Sequence, residues 1–129
     1  MIKVLLIESE PKVRDIIMVG LDQFQVFEVD HAEDEWAVEM AREKPYDLVL
    51  VNLELGKGVD GMEIAKLIRE YEKDAEIVLI TRGRSSKLIS KEKAALNVFA
   101  LLTLPIEEEP FFKMVARAKD RIESKDSRR

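Results

Sequence analysis

The sequence contains no cysteine and a single histidine, and aromatic residues make up only 6% of its 129 residues. The absence of cysteine excludes disulfide bonds, thiol chemistry and cysteine-based zinc sites, and it favours a reducing compartment. No apolar run approaches the roughly 18 residues that a membrane-spanning helix needs. The first residues lead directly into a predicted strand and lack the layout of a signal peptide. We therefore predict a cytoplasmic protein that does not associate with a membrane.

Basic residues are outnumbered by acidic ones. The chain has 21 basic and 26 acidic residues, which gives a net charge of −5. A surface that binds nucleic acid through its phosphates needs an excess of basic side chains, so we expect no direct contact with nucleic acid. Apolar residues at 47% and charged residues at 36% are typical of one globular domain that can bury a core unaided.

The segment that organises the predicted fold runs from Pro45 to Leu55. Its centre is a short run of branched apolar residues that ends at the polar Asn52. Such a run is too short for a free-standing helix and is typical of a strand buried on both faces of a parallel sheet. In open parallel sheets the functional crevice lies at the carboxyl ends of the strands. Asn52 is therefore the first candidate for a functional position.

Five predicted strands alternate with five predicted helices along the chain. The strands are expected at about 2–7, 25–29, 47–53, 77–80 and 98–102, and the helices at about 11–24, 30–44, 61–71, 86–96 and 107–123. This alternation predicts an α/β domain with helices on both faces of a parallel sheet. Trp36 is expected to face the core from the second helix. Residues 124–129 are expected to form a polar tail or the start of a linker.

Five segments together resemble a known family. They are LLIESEP at 5–11, PYDLVLVN at 45–52, DGMEI at 60–64, IVLIT at 77–81 and FALLTLP at 99–105. In this order and spacing they resemble the receiver (CheY-like) domains of two-component response regulators, over about residues 2–123. The resemblance implies a flavodoxin-like (βα)5 three-layer sandwich, with a five-stranded parallel sheet in the order 2-1-3-4-5. It also implies a role in phosphorelay signal transduction.

The positions that carry the chemistry of this family differ from its pattern. By the resemblance, Asn52 replaces the phosphoacceptor aspartate, Glu8 and Ser9 replace an acidic pair that helps to hold Mg²⁺, and Leu104 replaces a lysine that contacts the phosphoryl group. An amide is a very poor nucleophile, Mg²⁺ prefers carboxylate ligands, and leucine cannot stabilise phosphoryl charge. We therefore expect a degenerate receiver that is not an enzyme and has no catalytic residue, no cofactor and lost or weak Mg²⁺ binding.

The switch positions of the family are only partly kept. Thr81 is the hydroxyl residue that the family has after the fourth strand, whereas Leu101 stands in place of the switch aromatic. We expect the domain to bind a protein partner or an output domain, or to dimerise, through the face formed by the fourth helix, fifth strand and fifth helix. The residues predicted to contribute to a partner surface are Arg82, Arg84, Lys87, Leu88 and Ile89.

Two other functions remain open from the sequence. The glycine loop at 56–61 is compatible with a phosphate- or nucleotide-binding module, although it has neither of the common phosphate-loop motifs. An active receiver would need an atypical acceptor, and Glu8, Glu10 and Glu54 are the candidates. His31 has no obvious nucleophile beside it, so we predict no catalytic role for it.

Three of the candidate residues also have local structural interpretations. Asn52 is a residue type that can cap the loop after a buried strand. Ser9 precedes the first predicted helix and is a candidate for its N-cap. Thr81 stands at a strand end, where a hydroxyl often makes a local hydrogen bond.

Overall fold

The computed structural model describes residues 1–83 and 86–127, without the side chains of residues 86–89 and 127. Within these residues, five strands alternate with five helices. The strands are β1 (Ile2–Ile7), β2 (Phe27–Ala32), β3 (Leu48–Asn52), β4 (Glu76–Thr81) and β5 (Ala100–Thr103). The helices are α1 (Pro11–Asp22), α2 (Trp36–Glu43), α3 (Gly61–Tyr71), α4 (Ser86–Leu96) and α5 (Glu108–Ser127).

The five strands form one parallel sheet in the order β2-β1-β3-β4-β5. Buried residues of α1 and α5 pack on one face, and buried residues of α2, α3 and α4 pack on the other. This arrangement confirms the predicted flavodoxin-like sandwich and its strand order. Among the described residues, no helix combines the length and the apolar character needed to cross a membrane.

The central strand β3 explains why its sequence is so uniformly apolar. Leu48 and Leu50 belong to the core on the α1 and α5 side, whereas Val49 and Val51 belong to the core on the opposite side. Successive side chains of a strand point to opposite faces, and helices cover both faces here. All four residues are fully buried, as expected for the middle strand of a parallel sheet.

The predicted boundaries of the second strand and second helix are wrong. We expected a strand at 25–29 and a helix at 30–44, but β2 continues to Ala32 and α2 spans only Trp36–Glu43. The reason is that β2 pairs with β1 along its whole length. It is also the edge strand of the sheet, so the half-exposed, polar Asp30 and His31 fit there.

The prediction that Trp36 faces the core is also wrong, since its side chain is 62% exposed. Trp36 is the first residue of α2, and the buried positions of this helix are Ala37 and Ala41. These two residues are four apart and therefore lie on the same face of the helix. Small alanines on that face allow α2 to lie close to the sheet, and the tryptophan points to solvent.

The last helix is longer than the sequence predicts. We expected residues from Ser124 onward to be a polar tail, but α5 continues to Ser127. Lys125 Nζ lies 2.9 Å from Glu76 Oε1 and donates to the Asp74 carbonyl at 2.7 Å. Arg121 Nε lies 2.7 Å from Glu76 Oε2. Glu76 is buried at the start of β4, and its charge pairing holds this end of α5 against the sheet.

One arginine connects the end of α4 with the segment between α3 and β4. Arg69 in α3 donates to the carbonyl oxygens of Leu96 at 2.9 Å, Ala75 at 2.7 Å and Glu72 at 2.9 Å. Burial lowers the pKa of the Arg69 guanidinium, although nearby carboxylates oppose this effect. The fork of N–H donors in arginine suits a cluster of carbonyl groups. Arg69 thereby fixes the end of α4 relative to α3.

Glu72 offers a test of the electrostatics in this region. Its Oε1 accepts a hydrogen bond from Tyr46 N at 3.2 Å, and burial raises the pKa of its carboxyl group. A raised pKa in the folded state adds stability that is fully present below the ordinary pKa and is lost as the pH rises through the raised value. At neutral pH the ionised Glu72 is therefore a net cost, and a neutral amide in its place avoids that cost.

We expect Glu72→Gln to be more stable than the wild type at pH 7, by less than about 1 kcal/mol because solvent screens this half-buried group. Urea unfolding at several pH values measures the difference, which should vanish near about pH 4. The control is Glu70→Gln, at an exposed glutamate in the last turn of α3, two residues before Glu72. A Glu72→Gln protein less stable than wild type at pH 7 would show that the carboxylate is favourable.

Candidate functional site

The carboxyl ends of three adjacent strands bring together the polar side chains that the sequence singled out. Glu8 follows β1, Asn52 ends β3 and Thr81 ends β4, and these strands are neighbours in the sheet. Their exposed fractions are 1%, 4% and 1%. This is the edge of the sheet where the functional crevice of an open parallel sheet lies. The structure therefore brings together, at one edge of the sheet, three of the residues that the sequence analysis named.

The Asn52 side chain is hydrogen-bonded through both of its polar atoms. Nδ2 donates to Glu8 Oε1 at 2.8 Å, and Oδ1 accepts from the Glu54 backbone N–H at 2.8 Å. These partners fix the orientation of the amide, because a carboxylate only accepts and a backbone N–H only donates. An ionised aspartate at this position could not donate to Glu8. The geometry thus suits an amide next to the carboxylate.

Glu8 is held by its side chain and by its backbone. The oxygen that does not bind Asn52, Oε2, accepts from the Glu10 N–H at 3.1 Å. The His31 ring nitrogen Nε2 lies 2.9 Å from the Glu8 carbonyl oxygen. Since a carbonyl oxygen only accepts, Nε2 carries the proton in this contact. Sequence reasoning missed this structural role of His31, because the partner is a backbone atom 23 residues away.

A second carboxylate lies at the end of β4. The Thr81 hydroxyl is 3.0 Å from Glu54 Oε1 and 2.8 Å from Oε2, and the Arg82 backbone N–H donates to Oε1 at 2.7 Å. Hydrogen bonds to a carboxylate are stronger than those between neutral groups. Glu54, one of the candidate atypical acceptors, is therefore in direct contact with the Thr81 hydroxyl.

An ion pair crosses the mouth of the site. Arg82 Nη2 lies 3.2 Å from Glu10 Oε2. Because β3 lies between β1 and β4, this contact joins segments on either side of Asn52. Both side chains are more than half exposed, so the pair adds little to stability. Of the other predicted partner residues, Arg84 and the side chains of Lys87, Leu88 and Ile89 lie outside the described part of the chain.

Three further positions named from the sequence are Ser9, Leu104 and Leu101. The N-cap of α1 is Glu10, which makes no side-chain cap hydrogen bond, so the prediction of Ser9 as the N-cap is wrong. Leu104 is buried in the core cluster that includes residues of α1 and α5. Leu101 is half-buried and packs against the opposite cluster. Two apolar side chains thus occupy positions where the resemblance implied a lysine and an aromatic residue.

Two glycines of the loop after β3 adopt a backbone conformation that few other residues adopt. Gly56 and Gly58 have φ values of 75° and 76°, a region that favours glycine, and Val59 N donates to Gly56 O at 2.9 Å. Asp60 caps α3 by accepting from the Met62 N–H at 3.0 Å. The loop therefore forms a turn and the start of a helix, which accounts for its composition.

The polar side chains at the site form a hydrogen-bonded cluster. Both oxygens of Glu8 accept from N–H groups, and one of these donors is the Asn52 amide. Within residues 1–83 and 86–127, no group of three or more histidine, aspartate or glutamate side chains is arranged to hold a metal ion.

Comparison with known sequences connects this geometry to a family. The family model of the response regulator receiver domain matches residues 4–116. The transcriptional regulatory protein ResD of Bacillus subtilis is 28% identical over 96 residues, which cover 74% of this chain and 39% of ResD. The probable C4-dicarboxylate response regulator DctR of Halalkalibacterium halodurans is 31% identical over 91 residues, 69% of this chain and 39% of that protein. The chain thus matches about two fifths of the length of these relatives.

Solved structures share the same fold. The receiver domain of AraT, a response regulator from Geobacillus stearothermophilus, aligns with a TM-score of 0.82 and 27% identity, over 96% of this chain and 97% of that one. A CheY-like receiver domain from Methanospirillum hungatei aligns with a TM-score of 0.83 over 97% and 98% of the two chains. Its 15% identity supports the fold alone. The chain therefore belongs to the family of response regulator receiver domains, which serve two-component signalling by interacting with other proteins or with output domains.

Proposed function

We propose that this receiver domain signals without phosphorylation at the acceptor position, which Asn52 occupies, and acts by binding a protein partner or an output domain. The observation that carries this proposal is the pairing of the Asn52 amide with Glu8 Oε1 and the Glu54 N–H. Phosphoryl transfer to a side chain needs a nucleophilic oxygen, and an amide oxygen is a very poor one. The same oxygen here already accepts a backbone hydrogen bond, which lowers its reactivity further.

The proposal extends to the metal ion that the family implies. Mg²⁺ prefers octahedral coordination by oxygen and is usually bound through one or two carboxylates. An ion bound to Glu8 Oε1 would have to displace the N–H of Asn52, whose nitrogen lies 2.8 Å from that oxygen. A hydrogen-bond donor at that place does not fit a cation. We propose that Mg²⁺ binding is lost or weak and that the chain is not an enzyme.

The atypical acceptors are less favourable in this geometry. Glu8 is buried, and its two oxygens accept hydrogen bonds. Glu10 is paired with Arg82, and the Glu54 carboxylate accepts from the Thr81 hydroxyl and from the Arg82 backbone N–H. A carboxylate that attacks phosphorus must present an oxygen lone pair in line with the leaving group. Each candidate would first have to leave its present partners.

The partner surface proposed for the domain is the face formed by α4, β5 and α5. Phe99, just before β5, is half-buried, and the Arg117 guanidinium lies 5.3 Å from the centre of its ring. Aromatic residues and arginine are enriched in protein interfaces. This face would bind an output domain or a second copy of the chain. The net charge of −5 supports our proposal that nucleic acid is not bound directly, and the domain is proposed to be cytoplasmic.

The test is incubation with acetyl phosphate and Mg²⁺, followed by measurement of the intact mass. We expect no gain of a phosphoryl group, because an amide occupies the acceptor position and the nearby carboxylates are held by other partners. A receiver domain that carries the acceptor aspartate is the positive control under the same conditions. Phosphorylation of the wild-type chain would overturn the proposal and would favour an atypical acceptor among Glu8, Glu10 and Glu54.

The same assay separates the contributions of the other changed positions. We expect Asn52→Asp to remain poorly phosphorylated, because Ser9 adds no second carboxylate for the metal ion and Leu104 adds no cation for the phosphoryl group. Efficient phosphorylation of this single variant would show that Ser9 and Leu104 matter less than Asn52.

A further inference from the structure

Glu54 brings a negative charge from the chain itself to the end of β4. The Thr81 hydroxyl lies 3.0 Å from its Oε1 and 2.8 Å from its Oε2, and Oε1 also accepts from the Arg82 backbone N–H at 2.7 Å. Thr81 is 1% exposed, so its hydroxyl faces into the site. Two donors from adjacent residues thus converge on one anionic group.

The backbone on both sides of Glu54 is fixed. Its N–H donates to Asn52 Oδ1 at 2.8 Å, and Glu54 forms an isolated antiparallel bridge with Asp60. The carboxylate is therefore presented to Thr81 from an anchored position. The contact depends on Asn52, because the amide oxygen of Asn52 holds the Glu54 N–H.

The converging donors are of a kind that binds oxyanions in general. A hydroxyl and a backbone N–H can donate to a phosphate oxygen as well as to a carboxylate oxygen. The Arg82 guanidinium stands at the rim, 3.2 Å from Glu10, and adds positive charge near the same place. An external tetrahedral oxyanion could use these donors only by displacing Glu54.

We propose that Glu54 is a built-in anion that occupies an oxyanion-binding position formed by Thr81 and Arg82 and keeps inorganic phosphate out of it. This inference rests on the proposed function, because Glu54 can occupy the oxyanion-binding position only in a domain that carries no phosphoryl group there. Glu54 thereby also keeps the Thr81 hydroxyl in its inward position. The position is latent in the wild type and becomes available when Glu54 is removed.

The test is a titration with inorganic phosphate, followed through the NMR signal of the Arg82 amide, in wild type and Glu54→Ala. We expect the variant to bind phosphate at least about tenfold more tightly, which is the effect of roughly one charge-assisted hydrogen bond. The control is Glu63→Ala, which removes an exposed glutamate of α3 that pairs with Lys66. It makes the same change in net charge and should behave like the wild type.

Two further variants test the roles of the Thr81 hydroxyl and of the Glu54 charge. Adding Thr81→Val to Glu54→Ala should abolish the gain, because the hydroxyl donor is lost. If Glu54→Ala does not fold, Glu54→Gln decides, since it keeps the shape and removes the charge, and it should still bind phosphate more tightly than Glu63→Ala. Equal phosphate affinity in wild type and both Glu54 variants would overturn the inference. Phosphorylation of wild type by acetyl phosphate would instead overturn the proposed function.

Discussion

Replacement of Gly61 by alanine is expected to lower the free energy of unfolding by about 3 kcal/mol or more, because it overpacks a rigid part of the core. Gly61 begins α3 directly against the end of β3. A Cβ atom at this position would lie 2.7 Å from Leu53 Cα and closer still to the carbonyl oxygen of Asn52. Both are backbone atoms, so no side chain can rotate to make room.

The strain would act on the site as well as on stability. Asn52 pairs with Ile80 of β4 in the sheet register, so displacement of its backbone would disturb the β3-β4 ladder and the hydrogen bond to Glu8. Urea unfolding measures the loss. Gly83→Ala is the control, because a Cβ there meets no atom of the described residues within 4 Å. If Gly61→Ala and Gly83→Ala are equally stable, α3 is not packed against β3 as described.

Replacement of Asn52 by aspartate is expected to destabilise the domain by about 2–4 kcal/mol at neutral pH, through loss of a charge-assisted hydrogen bond and repulsion between carboxylates. The Asn52 amide donates to Glu8 at 2.8 Å in a buried setting. An aspartate at position 52 would place a second negative charge beside Glu8. In the wild type, the Glu8 carboxylate instead accepts from the Asn52 N–H. Unfolding by urea should show that this loss shrinks as the pH falls below neutral and is smallest near about pH 4, because repulsion raises the pKa of one carboxyl group of the pair in the folded state.

A swap of the two residues provides the matched control. In the double variant Glu8→Gln/Asn52→Asp, the amide and the carboxylate exchange places. The new glutamine can donate to the new aspartate and accept from the Glu10 N–H, and the aspartate can accept from the Glu54 N–H. We expect the double variant to regain most of the stability that the single variant loses. If the swap is no more stable than Asn52→Asp, the Asn52–Glu8 hydrogen bond is not the reason for the loss.

The parts of the fold that could be predicted are those in which burial leaves a strong sequence pattern. The strand β3 is enclosed on both faces, so its apolar run indicated both its type and its central place. The edge strand β2 has half-exposed polar residues, and its length depends on pairing with β1, which no local pattern reveals. The extension of α5 depends likewise on Glu76, 49 residues before Lys125. Contacts between distant segments account for these errors.

The same distinction applies to the candidate site. Glu8, Asn52 and Thr81 could be predicted because strand ends in a parallel sheet meet at one edge. The direction of their hydrogen bonds could not be predicted, since it depends on side-chain geometry. The carboxylate of Glu54 reaches Thr81 across 27 residues of sequence, and His31 binds a backbone carbonyl. Such contacts have no signature in residue type or spacing.

The proposed loss of phosphorylation depends on a neutral amide, hydrogen-bonded to Glu8, standing where a receiver domain needs a reactive carboxylate and a metal ion. The most direct test is the NMR signal of the Asn52 side-chain NH₂ group, recorded with and without millimolar Mg²⁺. We predict two separate proton signals, one of them shifted by the hydrogen bond to Glu8, and no change when Mg²⁺ is added. Movement or loss of these signals on adding Mg²⁺ would place a cation beside Asn52 and contradict the proposal.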